Sequence, residues 1–472
     1  MKKIILLISS IAIMLSANAQ YTKLFDFSGT ANGASPYGSF LSDGAYLYGM
    51  TNVGGTYNKG TIFKIKTDGT GYVKLFDFTN IGAATGYNPW GNLVSDGTFL
   101  YGTTELGGTS NNGVIFKIMP DGSNFSKLYD FSGAADGKWP ECTLIFDGTF
   151  LYGTASQGGT NNFGTIFKIK TDGTGFAKLF DFSGAADGMN PLSSLIFNDS
   201  AMYGMTRNGG MYGGTYGYGV IFKIKPDGTG FTKLFDFSGG TGGSNPDSYL
   251  ISDGTFLYGT TSNGGLYNYG SIFKIKPDGT GYANLFDFSP ATDGSNPLGA
   301  LVSDGTRLYG TTYLGGANNK GTFFSVMPDG SGYTVLVNFS GAPDGASSYN
   351  TPMFDGTTLY GMVYAGGTNN KGIIFKYVPP VTTGITTNNS GDTLTVFPNP
   401  GSGVFNITLP VSQNKNSFVE IYNATGALIY EKQYFTNGSD MIDMSDRPNG
   451  IYFLKVMSDN KIIATKKIVV QR

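Results

Sequence analysis

The stretch from residue 249 to 288, YLISDGTFLYGTTSNGGLYNYGSIFKIKPDGTGYANLFDF, carries most of the information about the fold. Four short runs rich in aromatic and β-branched residues alternate with turn sequences. Two of these turns, Ser252-Asp253-Gly254-Thr255 and Pro277-Asp278-Gly279-Thr280-Gly281, are strong hairpin signals, because glycine accepts a positive φ at little cost. The stretch therefore predicts four antiparallel strands, which we call a, b, c and d.

The same unit of about 51 residues occurs seven times, and a period of this length with strand-like segments is typical of propellers and solenoids. Strand d carries Leu-Phe-Asp-Phe or a variant of it, strand b carries Leu-Tyr-Gly or Met-Tyr-Gly, and strand c an Ile-Phe-Lys type run. The tyrosines of strand b are Tyr48, Tyr101, Tyr152, Tyr203, Tyr258, Tyr309 and Tyr360.

The two ends of the array complement each other. The chain opens with an isolated d strand at residues 21–27, and the seventh repeat ends after strand c near Phe375. In a ring the N-terminal strand would complete the last blade and remove an open edge, whereas a solenoid would need polar caps. We predict an all-β fold over residues 20–378, a seven-bladed β-propeller closed by the N-terminal strand.

Repeat lengths vary at only two places, the d–a loop of the second repeat and the b–c loop of the fourth. Antiparallel geometry puts both on the same face of the disc, and such a face commonly binds ligands. Aromatic side chains among glycine and asparagine there suit stacking on sugars. The candidates for ligand binding are Trp90, Trp139, Tyr212, Tyr216 and Tyr218. Packing between blades is the alternative role for the tryptophans.

Composition excludes several kinds of activity. Removing the first 19 residues leaves a net charge of −4, without a basic surface for nucleic acid. The chain has no histidine, which removes the commonest general base and zinc ligand. We therefore predict no catalytic residue, no metal and no cofactor. The single cysteine, Cys142, is expected to be a buried apolar residue.

Repeated carboxylates have a simpler interpretation than catalysis. The aspartate of Leu-Phe-Asp-Phe is predicted to hold a backbone N–H or a lysine of a neighbouring strand, and the loop acids Asp136, Asp187, Asp293 and Asp344 to form turns. Two carboxylates brought together from different blades could still serve a glycosidase. That alternative stays open.

The N-terminus has the features of a signal peptide. Lys2 and Lys3 precede an apolar run too short to span a bilayer, and Ala17-Asn18-Ala19 is an A-x-A cleavage sequence. Residues 1–19 are thus expected to be removed between Ala19 and Gln20. No later run reaches the length of a membrane span.

The composition changes after Val378. Residues 379–393 are rich in threonine, asparagine and glycine, which predicts a flexible linker. Residues 394–472 contain short strand-like runs separated by turns, and predict a small immunoglobulin-like β-sandwich.

Both parts resemble known families. The Leu-Tyr-Gly, Gly-Gly, Ile-Phe-Lys and Asp-Gly-x-Gly words of residues 21–378 resemble the GloVer tandem repeat of exported bacterial proteins, which implies a propeller but no particular activity. Residues 394–472 resemble the C-terminal sorting domain of type IX secretion substrates of the Bacteroidota. The matching residues are Pro398, Asn399, Pro400, Gly450, Ile451, Tyr452 and Lys467. This resemblance implies the type IX machinery as partner, and a destination in the medium or on the cell surface via the periplasm.

Three functions follow as hypotheses. The first is a binding or adhesion protein that presents its loop face to a glycan, peptide or surface polymer. The second is a carboxylate-based glycosidase or lyase on that face, and the third is a structural surface component. A carboxylate pair in the central channel would favour the enzyme. Its absence, together with an aromatic patch, would favour binding.

Overall fold

The computed structural model of the protein describes residues 20–81, 85–380, 395–397, 399, 403–408, 417–423, 428–434, 439–458 and 461–470. The chain divides into two compact units, Met1–Val381 and Thr382–Arg472. The predicted signal peptide with Ala19, nearly all of the predicted linker, and both Pro398 and Pro400 lie outside the described residues.

Within residues 20–378, residues 82–84 excepted, the structure describes seven antiparallel sheets of four strands each. The N-terminal strand, β1 (Gln20–Asp26), belongs to the seventh of these sheets. Sheets 1 to 3 consist of β2 (Ala34–Ser42), β3 (Tyr46–Val53), β4 (Thr61–Lys66) and β5 (Val73–Asp77); β6 (Val94–Ser95), β7 (Leu100–Thr104), β8 (Val114–Ile118) and β9 (Ser126–Asp130); and β10 (Ile145–Phe146), β11 (Phe150–Ala155), β12 (Thr165–Lys170) and β13 (Ala177–Asp181).

Sheets 4 to 7 repeat this order, and a 3-10 turn at Gly240–Gly242 lies between sheets 4 and 5. Their strands are β14 (Ile196–Asn198), β15 (Ala201–Thr206), β16 (Val220–Ile224) and β17 (Thr232–Asp236); β18 (Ile251–Ser252), β19 (Leu257–Thr261), β20 (Ser271–Ile275) and β21 (Ala283–Asp287); β22 (Val302–Ser303), β23 (Leu308–Thr311), β24 (Thr322–Val326) and β25 (Thr334–Asn338); and β26 (Met353–Phe354), β27 (Leu359–Val363), β28 (Ile373–Val378) and β1.

The Asp-Gly turn and the tyrosine of Leu-Tyr-Gly act together. In the fifth repeat Asp253 Oδ1 accepts hydrogen bonds from the backbone N–H groups of Thr255 (2.8 Å) and Phe256 (2.7 Å). Its other oxygen accepts one from the Tyr258 hydroxyl at 2.8 Å. The carboxylate thus fixes both the a–b turn and the strand that follows it.

The aspartate of Leu-Phe-Asp-Phe is structural, as predicted, with one correction. Asp77 accepts a hydrogen bond from the backbone N–H of Thr56 (3.0 Å) and pairs with the ammonium of Lys74 (2.6 Å). The lysine lies three residues earlier on the same strand, where the prediction placed it on a neighbouring strand. A bulge at this point of the strand pairing brings the two side chains to one side.

The predicted pairing of the N-terminal strand with the last repeat is confirmed. β1 pairs antiparallel with β28, with Tyr21 opposite Tyr377 and Asp26 opposite Ile373. Asp26 accepts a hydrogen bond from the backbone N–H of Thr368 at 3.0 Å, as Asp77 does from Thr56 within the first repeat. The strand therefore makes the contacts of an ordinary d strand across 342 residues of chain.

Apolar clusters join consecutive sheets. The cluster between sheets 7 and 1 contains Phe27, Phe63 and Tyr360, and equivalent clusters lie between each of the other neighbouring pairs described. Phe27 and Phe63 are fully buried, with their ring centroids 5.4 Å apart in an edge-to-face arrangement. Packing between sheets provides the core, which suits strands with two apolar faces.

Strand a is the shortest strand of sheets 2 to 7, where it has two or three residues. An asparagine with positive φ followed by proline comes shortly before it in most repeats, for example Asn190 and Pro191. Proline lacks the N–H that strand pairing needs. The chain therefore approaches strand a as a loop.

The second unit consists of two antiparallel sheets with one shared core. Its strands are β29 (Thr395–Phe397), β30 (Val404–Thr408), β31 (Ser417–Asn423), β32 (Leu428–Tyr434), β33 (Ser439–Asp443), β34 (Gly450–Ser458) and β35 (Lys461–Val470), in the orders β29-β30-β33 and β32-β31-β34-β35. Side chains of both sheets, among them Phe405, Ile421 and Leu454, are buried together. Asn399 bridges to β35, donating to the Lys467 carbonyl (2.6 Å) and accepting from the Val469 N–H (2.8 Å).

Candidate ligand-binding cavity

A cavity of about 640 Å³ lies where the d–a loops meet the ends of the b strands. Its walls come from all seven repeats, so no single repeat forms it. The lining residues used below are Tyr37, Trp90, Asn92, Glu105, Trp139, Glu141, Thr143, Ser156, Leu192, Ser194, Arg207, Asp247, Tyr249, Leu298 and Tyr349.

In each of the seven repeats, the residue at one equivalent position lines the cavity. It follows the loop proline, or Ser348 in the seventh repeat, and a buried leucine or phenylalanine stands three residues later in six of the seven. The seven residues are Tyr37, Trp90, Glu141, Leu192, Asp247, Leu298 and Tyr349. The proline before it and the buried residue three positions later recur in six repeats, but here five residue types occur in seven repeats. A position that leaves the repeat pattern and faces a cavity is available for specific recognition.

Hydrogen bonds between repeats hold this position in place. The Asn190 amide donates to the Ser156 carbonyl of the preceding repeat at 3.1 Å. Further in, the N–H of Asn92 donates to the Thr143 hydroxyl (2.8 Å), and the Thr143 N–H donates to the Ser194 hydroxyl (2.7 Å). Equivalent positions of repeats 2, 3 and 4 are thereby linked, which gives the cavity a preorganised wall.

One side of the cavity is aromatic. The Tyr37 ring lies 4.2 Å from the Trp90 ring and 4.5 Å from the Tyr349 ring, centroid to centroid. Tyr349 also contacts Tyr313 at 4.7 Å and Tyr364 at 5.2 Å. The three rings that line the cavity on this side thus belong to repeats 7, 1 and 2, and Tyr313 of repeat 6 and Tyr364 of repeat 7 pack against Tyr349. The ring faces and hydroxyl groups of this side suit a ligand with both apolar and hydroxylated surfaces.

The other side carries charge. The indole Nε1–H of Trp90 donates to Glu105 Oε2 at 2.8 Å. Arg207 Nε lies 3.2 Å from Asp247 Oδ1, and the Asp247 side chain is only 10% exposed. Despite that ion pair, neither carboxylate oxygen of Asp247 has a hydrogen-bond partner in the described structure. A buried carboxylate without a donor is costly unless a ligand supplies one.

Burial raises the pKa of all three carboxyl groups. The pKa of Glu141 rises to about 7, because burial and the neighbouring Glu105 and Asp247 outweigh the hydrogen bond of Ser156 and the charge of Arg207. Burial likewise raises the pKa of Glu105 against the hydrogen bond from Trp90, and that of Asp247 against Arg207. Perturbed carboxyl groups together in a cavity are typical of functional sites.

Trp139 adopts an unusual backbone conformation at the edge of the cavity. Its φ is +59°, at the position where the other repeats have asparagine or serine with positive φ. Such a conformation is unfavourable for a bulky side chain. The Nζ atom of Lys138 lies 4.8 Å from the centre of the Trp139 ring. Strain of this kind, at a residue that faces a cavity, points to a role in binding.

The structure separates the five residues predicted to bind ligand. Trp90 and Trp139 line the cavity. Tyr212 and Tyr216 lie on the long b–c loop of the fourth repeat and are 50% and 74% exposed. Tyr218 instead packs against the core between sheets 4 and 5. The cavity thus unites the two tryptophans and excludes the three tyrosines.

The prediction missed the charged residues Glu105, Glu141, Arg207 and Asp247. A signal for them existed, because aligning the seven repeats shows the variable position after the proline and a second one four residues after the tyrosine of Leu-Tyr-Gly. The prediction was based on loop length and aromatic residues instead.

The loop acids form turns, as predicted. Asp136 accepts hydrogen bonds from the backbone N–H groups of Ser132 and Gly133, each at 3.0 Å, and from the Tyr129 hydroxyl at 2.8 Å. Cys142 is buried, as predicted, and burial raises the pKa of its thiol to about 11. Among the described residues no group of three or more acidic or cysteine side chains has a metal-binding arrangement.

Comparison with known families assigns both units. Residues 11–147, 82–212 and 210–375 match the Gloeobacter/Verrucomicrobia repeat, and residues 395–471 match the secretion system C-terminal sorting domain. The chain belongs to the Gloeobacter/Verrucomicrobia repeat family. Its C-terminal unit is a type IX sorting domain, so the protein is exported to the cell surface or secreted. Both resemblances noted in the sequence are thereby confirmed.

Solved structures show the same kind of fold. An oligogalacturonate lyase from Vibrio parahaemolyticus matches with a TM-score of 0.50 at 12% identity, over 78% of this chain and 95% of its own. The extracellular domain of a protein assigned as a hybrid two-component system from B. thetaiotaomicron matches with a TM-score of 0.50 at 13% identity, over 94% of this chain and 58% of its own. No curated protein matches. In the part of the chain that is described, no helix is long and apolar enough to cross a membrane.

Proposed function

We propose that this protein is an exported glycan-binding protein. Its seven sheets are the blades of a seven-bladed β-propeller (residues 20–378) closed by the N-terminal strand. Cleavage after residue 19 releases the mature chain, and a linker (residues 379–393) leads to an immunoglobulin-like sorting domain (residues 394–472). The binding site is the central cavity.

The variable position after the loop proline supports this proposal. A purely structural repeat gains nothing from changing residues that face the cavity while it keeps the proline before them and the buried residue after them in six of seven repeats. The changes here are ordered, since tyrosine and tryptophan occupy repeats 7, 1 and 2 and acidic side chains repeats 3 and 5. Aromatic faces opposite hydrogen-bonding groups match the two kinds of surface that a sugar ring presents.

A glycan array followed by calorimetric titration of the best ligand tests the proposal. The mature chain, residues 20–472, is compared with W90A and W139A. We expect each substitution to weaken binding about 10- to 30-fold, as for buried aromatic anchors. Tyr267→Ala, which removes a 53% exposed ring from the b–c loop of the fifth repeat, is the matched control and should bind normally. Unchanged affinity in both tryptophan variants would move the site elsewhere.

The exposed tyrosines allow a separate measurement. Tyr212 and Tyr216 would contribute only if a long ligand extends beyond the cavity to the loop of the fourth repeat. A double Tyr→Ala variant at these positions is therefore expected to weaken binding of long oligomers and to leave short ones unaffected.

A carboxylate-based glycosidase or lyase is the second candidate. The observation in its favour is that Glu105 and Glu141 line one cavity and that the pKa of Glu141 is about 7, which suits a general acid. Incubating the protein with each array ligand and measuring new reducing ends or unsaturated products tests it. Turnover that disappears in E141Q would establish an enzyme, and a ligand recovered intact would establish binding alone.

A further inference from the structure

The charges in the cavity restrict the kind of glycan it can accept. Among the described residues that line it, three carry carboxyl groups, and Arg207 carries the only positive charge. Arg207 is close to Asp247, with Nε and Oδ1 3.2 Å apart. Glu105 receives the indole N–H of Trp90. Glu141 has no counter-charge of its own in the cavity.

A cationic ligand could give hydrogen-bond donors and a positive charge to two carboxyl groups of the cavity, those of Asp247 and Glu141. Among the described residues neither buried oxygen of Asp247 accepts a hydrogen bond, although Arg207 Nε lies 3.2 Å from one of them, and an ammonium group with three N–H bonds could supply donors. Glu141 forms no ion pair with the described residues, and burial holds its pKa near 7 despite the charge of Arg207. An acidic sugar would instead add a further negative charge to a partly desolvated, acid-rich site.

The aromatic side fits the same ligand. Cations are attracted to the faces of tryptophan and tyrosine rings. The ammonium group of Lys138, 4.8 Å from the centre of the Trp139 ring, already makes such a contact. Trp90 and Tyr37 offer further ring surface close to the carboxylates.

We propose that the cavity selects a cationic amino sugar, a hexosamine oligomer with free amino groups, over its N-acetylated and its acidic counterparts. The amino group lies between Glu141 and Asp247, and the sugar ring packs on Trp90 and Trp139. This proposal rests on glycan binding in the cavity and adds the charge of the ligand.

Calorimetry at pH 6 with three probes tests the proposal: a glucosamine tetramer, the N-acetylglucosamine tetramer and tetragalacturonate. We expect the mature chain to prefer the free amine at least tenfold. E141Q should reduce this preference about 10- to 100-fold, as for the loss of a charged hydrogen bond. The control Asp199→Asn makes the same carboxyl-to-amide replacement at an exposed a–b turn, at the opposite end of the sheets, and should keep the preference.

Proton release provides an independent measurement. Glu141 is largely protonated in the free protein at pH 6, and a bound cation favours its ionised form. Binding enthalpies in buffers of different ionisation enthalpy should therefore show release of up to one proton, which E141Q abolishes. The charged groups that face Glu141 are Glu105, Asp247 and Arg207. The phenols of Tyr37, Tyr249 and Tyr349 stay neutral, because burial raises the pKa of each.

The outcomes separate the two proposals. Equal or tighter binding of the N-acetylated tetramer, abolished by W90A and W139A, would overturn the amino-sugar proposal and leave glycan binding intact. Preferential binding of tetragalacturonate would overturn it too. If E141Q and Asp199→Asn reduce the preference equally, the preference comes from the overall charge of the protein, and the assigned site is wrong. Binding of none of the three probes, with other glycans on the array bound through the tryptophans, would also count against the amino sugar. If no glycan is bound at all, both proposals fail.

Discussion

At the scale of single residues, this protein departs from its own repeat where the cavity requires it. Asp253 and Asp77 are typical of the repeated carboxylates, with every oxygen used for turns, backbone N–H groups or lysine. Glu141 and Asp247 stand at a position where other repeats have leucine or an aromatic residue. Their burial makes the ionised forms unfavourable, so they reduce stability.

The free energy of unfolding should depend on pH, because the folded protein buries the carboxyl group of Glu141. Its folded-state pKa of about 7 exceeds the ordinary 4.5, so the folded protein binds the proton more tightly than the unfolded chain. Its favourable contribution is therefore complete below about pH 4.5 and is lost as pH rises through about 7. We expect E141Q to stabilise the protein by roughly 2–3 kcal/mol at pH 8 and hardly at all at pH 4. Urea unfolding at both pH values, with Asp199→Asn as control, measures this. An equal effect at both values would contradict it.

Trp139 should also show a conflict between stability and binding. Replacing it by asparagine, the residue of most other repeats, relieves an unfavourable positive φ. It also allows a side-chain bond to the preceding repeat, like that of Asn190. We expect Trp139→Asn to raise the free energy of unfolding by about 1 kcal/mol and to lose glycan binding.

The reverse substitution, Asn190→Trp, is the matched control for Trp139. It should lower the free energy of unfolding by about 1–3 kcal/mol. If Trp139→Asn destabilises the chain instead, packing would be the role of this tryptophan.

At the scale of elements, β1 shows how a strand far away in sequence completes a sheet. Its aspartate accepts the N–H of Thr368 at the distance, 3.0 Å, that Asp77 shows with Thr56. Its ammonium partner is likewise three residues earlier. The hydroxyl of Tyr21 adds a bond to the Asp344 carbonyl at 2.9 Å.

Asp26→Ala should therefore cost as much stability as the same change within a continuous repeat. We expect Asp26→Ala and Asp181→Ala each to lower the free energy of unfolding by about 1–3 kcal/mol, because each leaves a backbone N–H and a lysine without their partner. Chemical denaturation of both variants measures it. A negligible effect of Asp26→Ala beside a clear effect of Asp181→Ala would mean that β1 detaches in solution.

At the scale of the whole molecule, the two units have separate cores and separate roles. Among the described residues, seven clusters of buried side chains lie in the repeats and one lies in the sorting domain. The sorting domain belongs to the export route, and the cavity lies wholly within the repeats. Binding and export should therefore be separable.

Deleting residues 394–472 should keep the repeats folded and trap them in the periplasm. The cavity and all of its lining residues remain, so the glycan affinity should be unchanged. Fractionation of the native host and titration of the truncated protein measure the two properties. Normal amounts of truncated protein in the medium or on the surface would refute the sorting role. Lost affinity in a folded truncated protein would place part of the binding site in the tail.

The sequence alone determined the repeat, the strands, the hairpin turns and the partner of β1. Each of these depends on local turn chemistry and on a pattern that recurs seven times, so the evidence adds up along the chain. The repeat family was recognisable for the same reason, and the sorting domain was recognisable from short motifs such as Pro398-Asn399-Pro400. Trp90 and Trp139 stood out as unique residues in a repetitive chain.

Only the tertiary structure brought Glu105, Glu141, Arg207 and Asp247 together. They come from four different repeats, and their burial, their pKa values and the unpartnered oxygens of Asp247 depend on how the sheets converge. It also placed Tyr218 against the core and Tyr212 and Tyr216 in solvent, although all three share one loop. The strands follow from nearest neighbours in sequence, whereas the cavity is a property of seven loops that meet at one point in space.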